Sequence, residues 1–240
     1  MAKSQSAVQF PSAYSWQNLK LLVLLLIPGS LLIQVPSTVI LAKCVDQAGP
    51  GSGKVCTFDL GPVFMLTVFL VPLASIIVLK YWRKLKWAEF GLVKTDFKLT
   101  LRLLALGAAL IAALNIALSA LATRWPIFGQ SQFELSGTPS LMDIITFFAI
   151  TSIMAPITEE LLFRGFTFSM ASRRWGVASG VVISSLSFAL AHLQPNVMLV
   201  TGVLGAYLCW MYLKTNSLLP GIILHVLNNA IGVSILLLSR

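Results

Sequence analysis

Long apolar segments are the feature that most restricts what this chain can fold into. Seven of them reach or approach the roughly 20 residues that cross a bilayer as an α-helix. They are, approximately, residues 20–42, 62–82, 100–123, 141–172, 177–193, 197–213 and 218–238. A backbone in lipid must satisfy its own hydrogen bonds, and runs rich in Leu, Val and Ala do so as helices rather than as a barrel. The sequence therefore predicts an all-α, polytopic integral membrane helical bundle.

The segment 141–172 leaves the number of transmembrane helices at seven or eight. It is longer than one simple crossing requires and it contains Pro156, so it is either one kinked helix or two helices. The first apolar segment is too long for a removable signal peptide and contains two prolines. We divide this single membrane domain into residues 1–140, with the first helices and a basic loop, and residues 141–240, which hold the buried polar residues discussed below.

The charge of the chain predicts its orientation. Only 10% of the residues are charged, against about 25% in a soluble domain. The net charge is +9, but in a membrane protein Lys and Arg mark cytoplasmic loops and meet anionic headgroups, so nucleic acid is not an expected partner. With the N-terminus inside and one crossing by 141–172, twelve basic residues lie near the cytoplasmic side and four lie outside. The twelve are Lys3, Lys20, Lys80, Arg83, Lys84, Lys86, Lys94, Lys98, Arg102, Arg173, Arg174 and Lys214, and the four are Lys43, Lys54, Arg124 and Arg240. We expect a cytoplasmic N-terminus in a bacterial-type plasma or internal membrane.

Two loops in the N-terminal part allow further predictions. Cys44 and Cys56 share a loop that this topology places outside, where a disulfide is permitted but not required. Cys209, in an apolar run, is interpreted as a small packing residue. The segment 83–99 interleaves basic residues with three aromatic ones. It is either a short amphipathic element on the membrane surface or a basic loop that sets topology.

Charged residues within the segment 141–172 call for a physical explanation. Glu159, Glu160 and Arg164 occur there in the sequence PITEELLFRGF. On a helix with about 100° per residue, Arg164 lies near Glu160 and far around the axis from Glu159. The favourable i, i+4 order predicts an ion pair between Glu160 and Arg164, which leaves Glu159 without a local partner. The alternative is that Pro156 begins a new helix whose first-turn acids complement the helix dipole.

The two histidines of the chain, His192 and His225, both lie in apolar segments. Helical spacing places Phe188 beside His192 and Asn229 beside His225. Each histidine alone could be a packing residue, and Asn229 could be a hydrogen-bonding contact between helices. Ionisable groups at membrane depth are, however, candidates for function. The coincidence with an unpaired Glu159 predicts a functional site.

These residues form three motifs that resemble one known family. EELLFR (159–164) matches Glu-Glu-x-x-x-Arg, FALAH (188–192) matches Phe-x-x-x-His, and HVLNN (225–229) contains His-x-x-x-Asn. The sequence thus resembles the CAAX prenyl proteases of the Rce1 type and their bacterial relatives, the CPBP or Abi family of glutamate intramembrane proteases. Residues 141–240 would be the catalytic helical core. The match covers about residues 155–235, with no departure at a motif position.

The resemblance implies a role for each matched residue. It implies that Glu159 and His192 activate a water molecule and that His225 and Asn229 stabilise the oxyanion. Glu160 and Arg164 would be supporting residues that orient the substrate, and Phe188 belongs to the second motif. Independently, peptide hydrolysis needs a base for water and donors aimed at the developing oxyanion, which these side chain types supply.

No cofactor is expected. A zinc ion held by His192, His225 and Glu159 is the alternative, but the chain contains no His-Glu-x-x-His helix. The chain is thus predicted to be an intramembrane endopeptidase that cleaves a membrane-associated protein or peptide within the lipid bilayer. The substrate could be a prenylated CAAX tail, a bacteriocin-type leader or an anchored precursor.

Two other functions compete with this prediction. One is a non-catalytic membrane protein of the same fold, acting as an immunity factor, an assembly factor or a subunit of a larger complex. The other is a proton-coupled transporter, because intramembrane Glu and His can relay protons. The intact motifs argue against the first, and the absence of an apparent inverted repeat argues against the second.

Overall fold

The computed structural model describes residues 10–23, 57–125, 141–192 and 195–238, and these are helical apart from short turns and loops. The helices are α1 (described over 16–23), α2 (Thr57–Trp82), α3 (Phe97–Ala122), α4 (Leu141–Trp175), α5 (Val177–Leu190), α6 (Pro195–Thr215) and α7 (Leu219–Leu238). No strand occurs in these ranges. The predicted all-α fold is confirmed.

Within the described part of the chain, fewer helices can span a membrane than were predicted for the whole. In the described ranges four helices are long and apolar enough to do so, namely α3, α4, α6 and α7. Two shorter apolar stretches are Val68–Trp82 and Val177–Leu190. The predicted count of seven or eight is therefore not reached by the described part of the chain. Most of the segment predicted at 20–42 lies outside it, as do Cys44 and Cys56 with their predicted disulfide.

The segment predicted at 141–172 is one continuous helix. Helix α4 has 35 residues and includes two π-helical stretches, Ile150–Met154 and Glu160–Phe168. Pro156 lies between them. A proline in a helix lacks an N–H and meets the carbonyl of residue i−4, and the preceding π-helical stretch changes the hydrogen-bond register at that point. The alternatives of two helices, or of a new helix beginning at Pro156, are therefore wrong.

The surface and interior of the bundle have the polarity of a membrane protein. Large apolar side chains cover the outside, including Ile116 (72% exposed), Leu186 (57%) and Ile235 (62%). Charged side chains are buried inside, with Glu160 only 1% and Arg164 0% exposed. Lipid solvates the apolar exterior, and the polar groups face one another inside. This distribution is that of an integral membrane helical bundle.

The packing of the helices brings distant parts of the chain together around α4. Helix α5 packs on α6 and on the second π-helical stretch, and α7 packs along the first. Helix α3 packs against both α6 and α7. An apolar cluster fills the space between these three helices, with Leu103, Leu204, Leu208, Met211 and Leu224 buried in it. Consequently α4, α5 and α7, which carry the three motifs, are neighbours.

The segment before α1 is held against α4. The Tyr14 hydroxyl donates a hydrogen bond to the Phe90 carbonyl at 2.8 Å. The Arg173 guanidinium donates to the backbone carbonyls of Tyr14 and Pro11. The Tyr14 ring lies against Gly165, where an added Cβ would be 2.4 Å from its Cζ. The N-terminal segment therefore covers the part of α4 that directly follows Arg164.

The basic segment predicted at 83–99 is a compact loop. Its centre is a four-residue 3-10 helix, Trp87–Phe90. Phe90 is fully buried, whereas Trp87 is exposed. Glu89 accepts hydrogen bonds from the backbone N–H of Lys86 and from a hydroxyl of the N-terminal segment. One of the three aromatic residues thus packs in the core, while Trp87 and Phe97 are exposed. Both interpretations of this segment stay predictions.

Candidate active site

The buried ion pair predicted from sequence spacing is present. Arg164 Nη1 donates to Glu160 Oε1 at 2.8 Å. Both residues lie in the second π-helical stretch of α4. The guanidinium carbon also lies 4.2 Å from the centroid of the Phe188 ring on α5. The positive charge is thus neutralised by a carboxylate and stacked on an aromatic face, which offsets part of its desolvation.

His225 joins the two adjacent glutamates. Its Nδ1 is 3.1 Å from Glu160 Oε1, and its Nε2 is 3.4 Å from Glu159 Oε2. The imidazole on α7 therefore spans the two carboxylates on α4. The His225 side chain is 3% exposed, whereas that of Glu159 is 15% exposed. Helical spacing predicted no local partner for Glu159, and the partner that the structure shows comes from another helix.

His192 lies just beyond the end of its helix. The prediction placed it inside a segment ending at 193, but α5 ends at Leu190 and has only 14 residues. His192 Nδ1 is 2.8 Å from the Phe188 carbonyl oxygen, and the two rings make an edge contact at 4.9 Å. Among the described residues no hydrogen bond or ion pair joins His192 to Glu159.

Phe188 links the members of the site. Its ring contacts the rings of His192 and His225 edge-on, with centroids 4.9 and 5.5 Å away, and stacks on Arg164. The side chain is completely buried. The phenylalanine of the second motif therefore contacts both histidines with one apolar ring, and its role is one of packing and orientation.

Asn229 is held by hydrogen bonds at the first π-helical stretch. Its Nδ2 donates to the Thr151 carbonyl oxygen at 3.0 Å, and its Oδ1 accepts from Asn228 at 3.1 Å. An amide nitrogen carries two hydrogens, so Nδ2 can donate once more. This second hydrogen fits the oxyanion role that the resemblance implies.

The arrangement of potential ligands bears on metal binding. In the described ranges no group of three or more His, Cys, Asp or Glu side chains is arranged to hold a metal ion. That no cofactor is needed stays a prediction. So does its alternative, a zinc ion held by Glu159, His192 and His225.

Three residues of the site were not predicted from the sequence. Thr151 contributes its carbonyl, which no side chain pattern indicates. Gly205 and Gly221 lie against the ion pair, as described below. A glycine inside an apolar helix signals close packing, but the sequence does not indicate what packs against it.

The fold and the site together define a helical membrane protein with a buried cluster of two glutamates, an arginine and a histidine. Residues 141–231 match the model of the type II CAAX prenyl endopeptidase Rce1-like family. The predicted resemblance is thus confirmed for the part of the chain that holds all three motifs.

One curated relative supports this assignment. The chain is 25% identical over 107 residues to a Bacillus subtilis (strain 168) protein named "Putative membrane peptidase YdiL". The match covers 43% of this chain and 43% of that protein. No solved structure matches the chain.

Proposed function

We propose that this protein is a glutamate-dependent intramembrane endopeptidase that cleaves a membrane-associated protein or peptide. The observation that carries the proposal is the meeting of Glu159, Glu160 and His225, from two helices, in a largely buried cluster. Buried acid and base groups of this kind are costly in a membrane and mark functional sites. The match of residues 141–231 to the type II CAAX prenyl endopeptidase Rce1-like family supports the same function.

In the proposed reaction Glu159 is the general base. Its carboxylate takes a proton from water while the water oxygen bonds to the scissile carbonyl carbon, and the carbonyl oxygen becomes an oxyanion. Glu159 is the most exposed of the clustered carboxylates, so water can reach it. Its proton then passes to the leaving amine as the C–N bond breaks, giving a carboxylic acid and an amine.

His225 and Asn229 are proposed to stabilise the oxyanion. Asn229 has a hydrogen to donate and is fixed in place by the Thr151 carbonyl. His225 donates from Nδ1 to Glu160, and its Nε2 lies beside Glu159, where the water would bind. Nε2 donates to the oxyanion when the ring is protonated at both nitrogens. His192 is proposed to assist Glu159 with the water, which requires it to approach Glu159 when substrate is bound. Preorganised donors of this kind typically contribute 100- to 1000-fold in rate.

The proposal also includes the topology and the substrate class. We propose a cytoplasmic N-terminus, a site open to the cytoplasmic side and a bacterial-type membrane. The substrate would be a prenylated tail, a leader peptide or an anchored precursor.

The test is the substitution Glu159→Gln, which keeps the shape of the side chain and removes the base. Membrane proteomes of cells with the wild type and the variant are compared, and precursors that accumulate uncleaved in the variant are candidate substrates. The corresponding anchored peptide is then incubated with purified protein in lipid nanodiscs. We expect kcat to fall at least about 100-fold.

Gly232→Ala is the control, because an added Cβ there meets nothing within 4 Å. Cleavage by Glu159→Gln at the wild-type rate contradicts the proposal.

A further inference from the structure

Two glycines enclose the buried ion pair. A Cβ added to Gly221 on α7 would lie 3.3 Å from Glu160 Oε2. A Cβ added to Gly205 on α6 would lie 3.3 Å from Arg164 Nη2 and 3.1 Å from the backbone of Ser185. All three distances are shorter than ordinary van der Waals contact. Each member of the pair therefore packs directly against the backbone of a helix other than its own.

Hydrogen bonds alone do not fix the guanidinium. Of its donors, Nη1 bonds to Glu160, whereas Nε and Nη2 have no partner among the described residues. Its position is set by the Phe188 ring on one side and by the backbone at Gly205. Packing thus contributes to the geometry of the pair alongside its one hydrogen bond.

The position of the Glu160–Arg164 pair affects the orientation of the His225 imidazole. Glu160 Oε1 accepts from Arg164 Nη1 at 2.8 Å and lies 3.1 Å from His225 Nδ1. Since the carboxylate is paired with Arg164, it is an acceptor and the Nδ1 position carries the proton. A displacement of Glu160 by a few tenths of an ångström therefore changes the orientation of the imidazole and of Nε2, which faces Glu159.

We propose that Gly205 and Gly221 are positioning residues, which hold the Glu160–Arg164 pair so that Glu160 fixes the protonation site and orientation of His225. The catalytic consequence rests on the proposed peptidase function, whereas the effect on His225 does not. The two glycines act through the ion pair and contact no substrate.

The chain offers matched controls on the same two helices. Gly202 on α6 would place a Cβ 3.5 Å from the Ala189 Cβ, an ordinary contact, and Gly232 on α7 has open space. Each added methyl is the same chemical change in the same helix. Only the variants at Gly205 and Gly221 press on the ion pair.

The experiment uses the full chain labelled with 15N-histidine in nanodiscs. The chain has two histidines, so only two pairs of ring-nitrogen signals arise, and a His192→Gln sample assigns them. We expect Gly205→Ala and Gly221→Ala to shift the His225 signals or change its tautomer ratio, while Gly202→Ala and Gly232→Ala leave them unchanged. With a cleavable substrate, kcat falls about tenfold in the first two variants at unchanged KM.

The results separate the two proposals. Unchanged His225 signals in both Gly205→Ala and Gly221→Ala overturn the positioning role, whatever the activity. Shifted signals in a protein that cleaves nothing support the positioning role and count against the peptidase. Should the alanine variants not fold, the double variant Glu160→Gln/Arg164→Met decides, since it exchanges the charged pair for groups of similar size. His225 signals unchanged in that variant also overturn the proposal.

Discussion

The buried ion pair predicts a strong dependence of stability on Arg164. In Arg164→Met, Glu160 stays 1% exposed and keeps only the contact with His225 Nδ1. Removing one partner of a buried pair typically costs about 3–5 kcal/mol, because the remaining charge is uncompensated. Here the loss of two unpaired donors, Nε and Nη2, offsets part of the cost. We therefore expect Arg164→Met to lower the free energy of unfolding by about 3 kcal/mol, which lowers the folding equilibrium constant roughly a hundredfold.

A double-mutant cycle isolates the charge effect from packing. Glu160→Gln/Arg164→Met leaves no buried charge at these two positions, so we expect it to unfold within about 1 kcal/mol of the wild type. The assay is reversible unfolding by SDS in mixed micelles, followed by circular dichroism. Because the two side chains touch, the effects of the single substitutions must not add. Additive single effects, or an Arg164→Met variant as stable as the double variant, would refute this reasoning.

Two further predictions concern the N-terminal segment and the loop beneath it. Gly165→Ala places a Cβ 2.4 Å from the Tyr14 Cζ. We expect overpacking to lower the free energy of unfolding by about 1–3 kcal/mol and to speed proteolysis of the N-terminal segment. Unfolding and proteolysis rates equal to those of the control glycine variants of α6 and α7 would contradict this prediction. The backbone N–H of Lys86, followed by the Ser12 hydroxyl, holds the pKa of Glu89 below its ordinary value of 4.5. The stabilising contribution of Glu89 is therefore fully present above pH 4.5 and is lost as the pH falls through the lowered pKa. Melting curves of wild type and Glu89→Gln must converge in that acid window, and a constant difference would contradict the prediction.

The helices were predictable because each one is marked by an apolar run within its own segment of the sequence. Lipid requires long apolar runs, and the segments predicted at 100–123 and 218–238 correspond to Phe97–Ala122 and Leu219–Leu238 within a few residues. The early end of α5 was not predictable, since SFALAHLQ stays apolar up to His192 while the backbone leaves the helix at Leu190. Apolar composition indicates which segments lipid can solvate, but it does not indicate where the hydrogen bonding of a helix stops.

The site was predictable in its members but not in its contacts. The Glu160–Arg164 pair follows from spacing within one helix. The bridge from His225 to both glutamates reaches Glu160, 65 positions away, as well as the residue before it, and depends on how α7 packs on α4. The π-helical stretches change the direction of side chains relative to a regular helix, and no residue type predicts such a stretch. Helical spacing therefore identified the paired glutamate and missed the partner of the other one.

Helices α4 and α5 present very different lengths to the bilayer. The 35 residues of α4 extend about 50 Å, while the 14 residues of α5 extend about 21 Å, against a hydrocarbon thickness of about 30 Å. A helix shorter than the hydrocarbon thickness favours a thinner bilayer beside it, and a longer one favours tilt or emergence into the headgroups. We therefore expect a thinner bilayer beside α5, and under the proposed function this would shorten the path of a peptide bond from water to the candidate site.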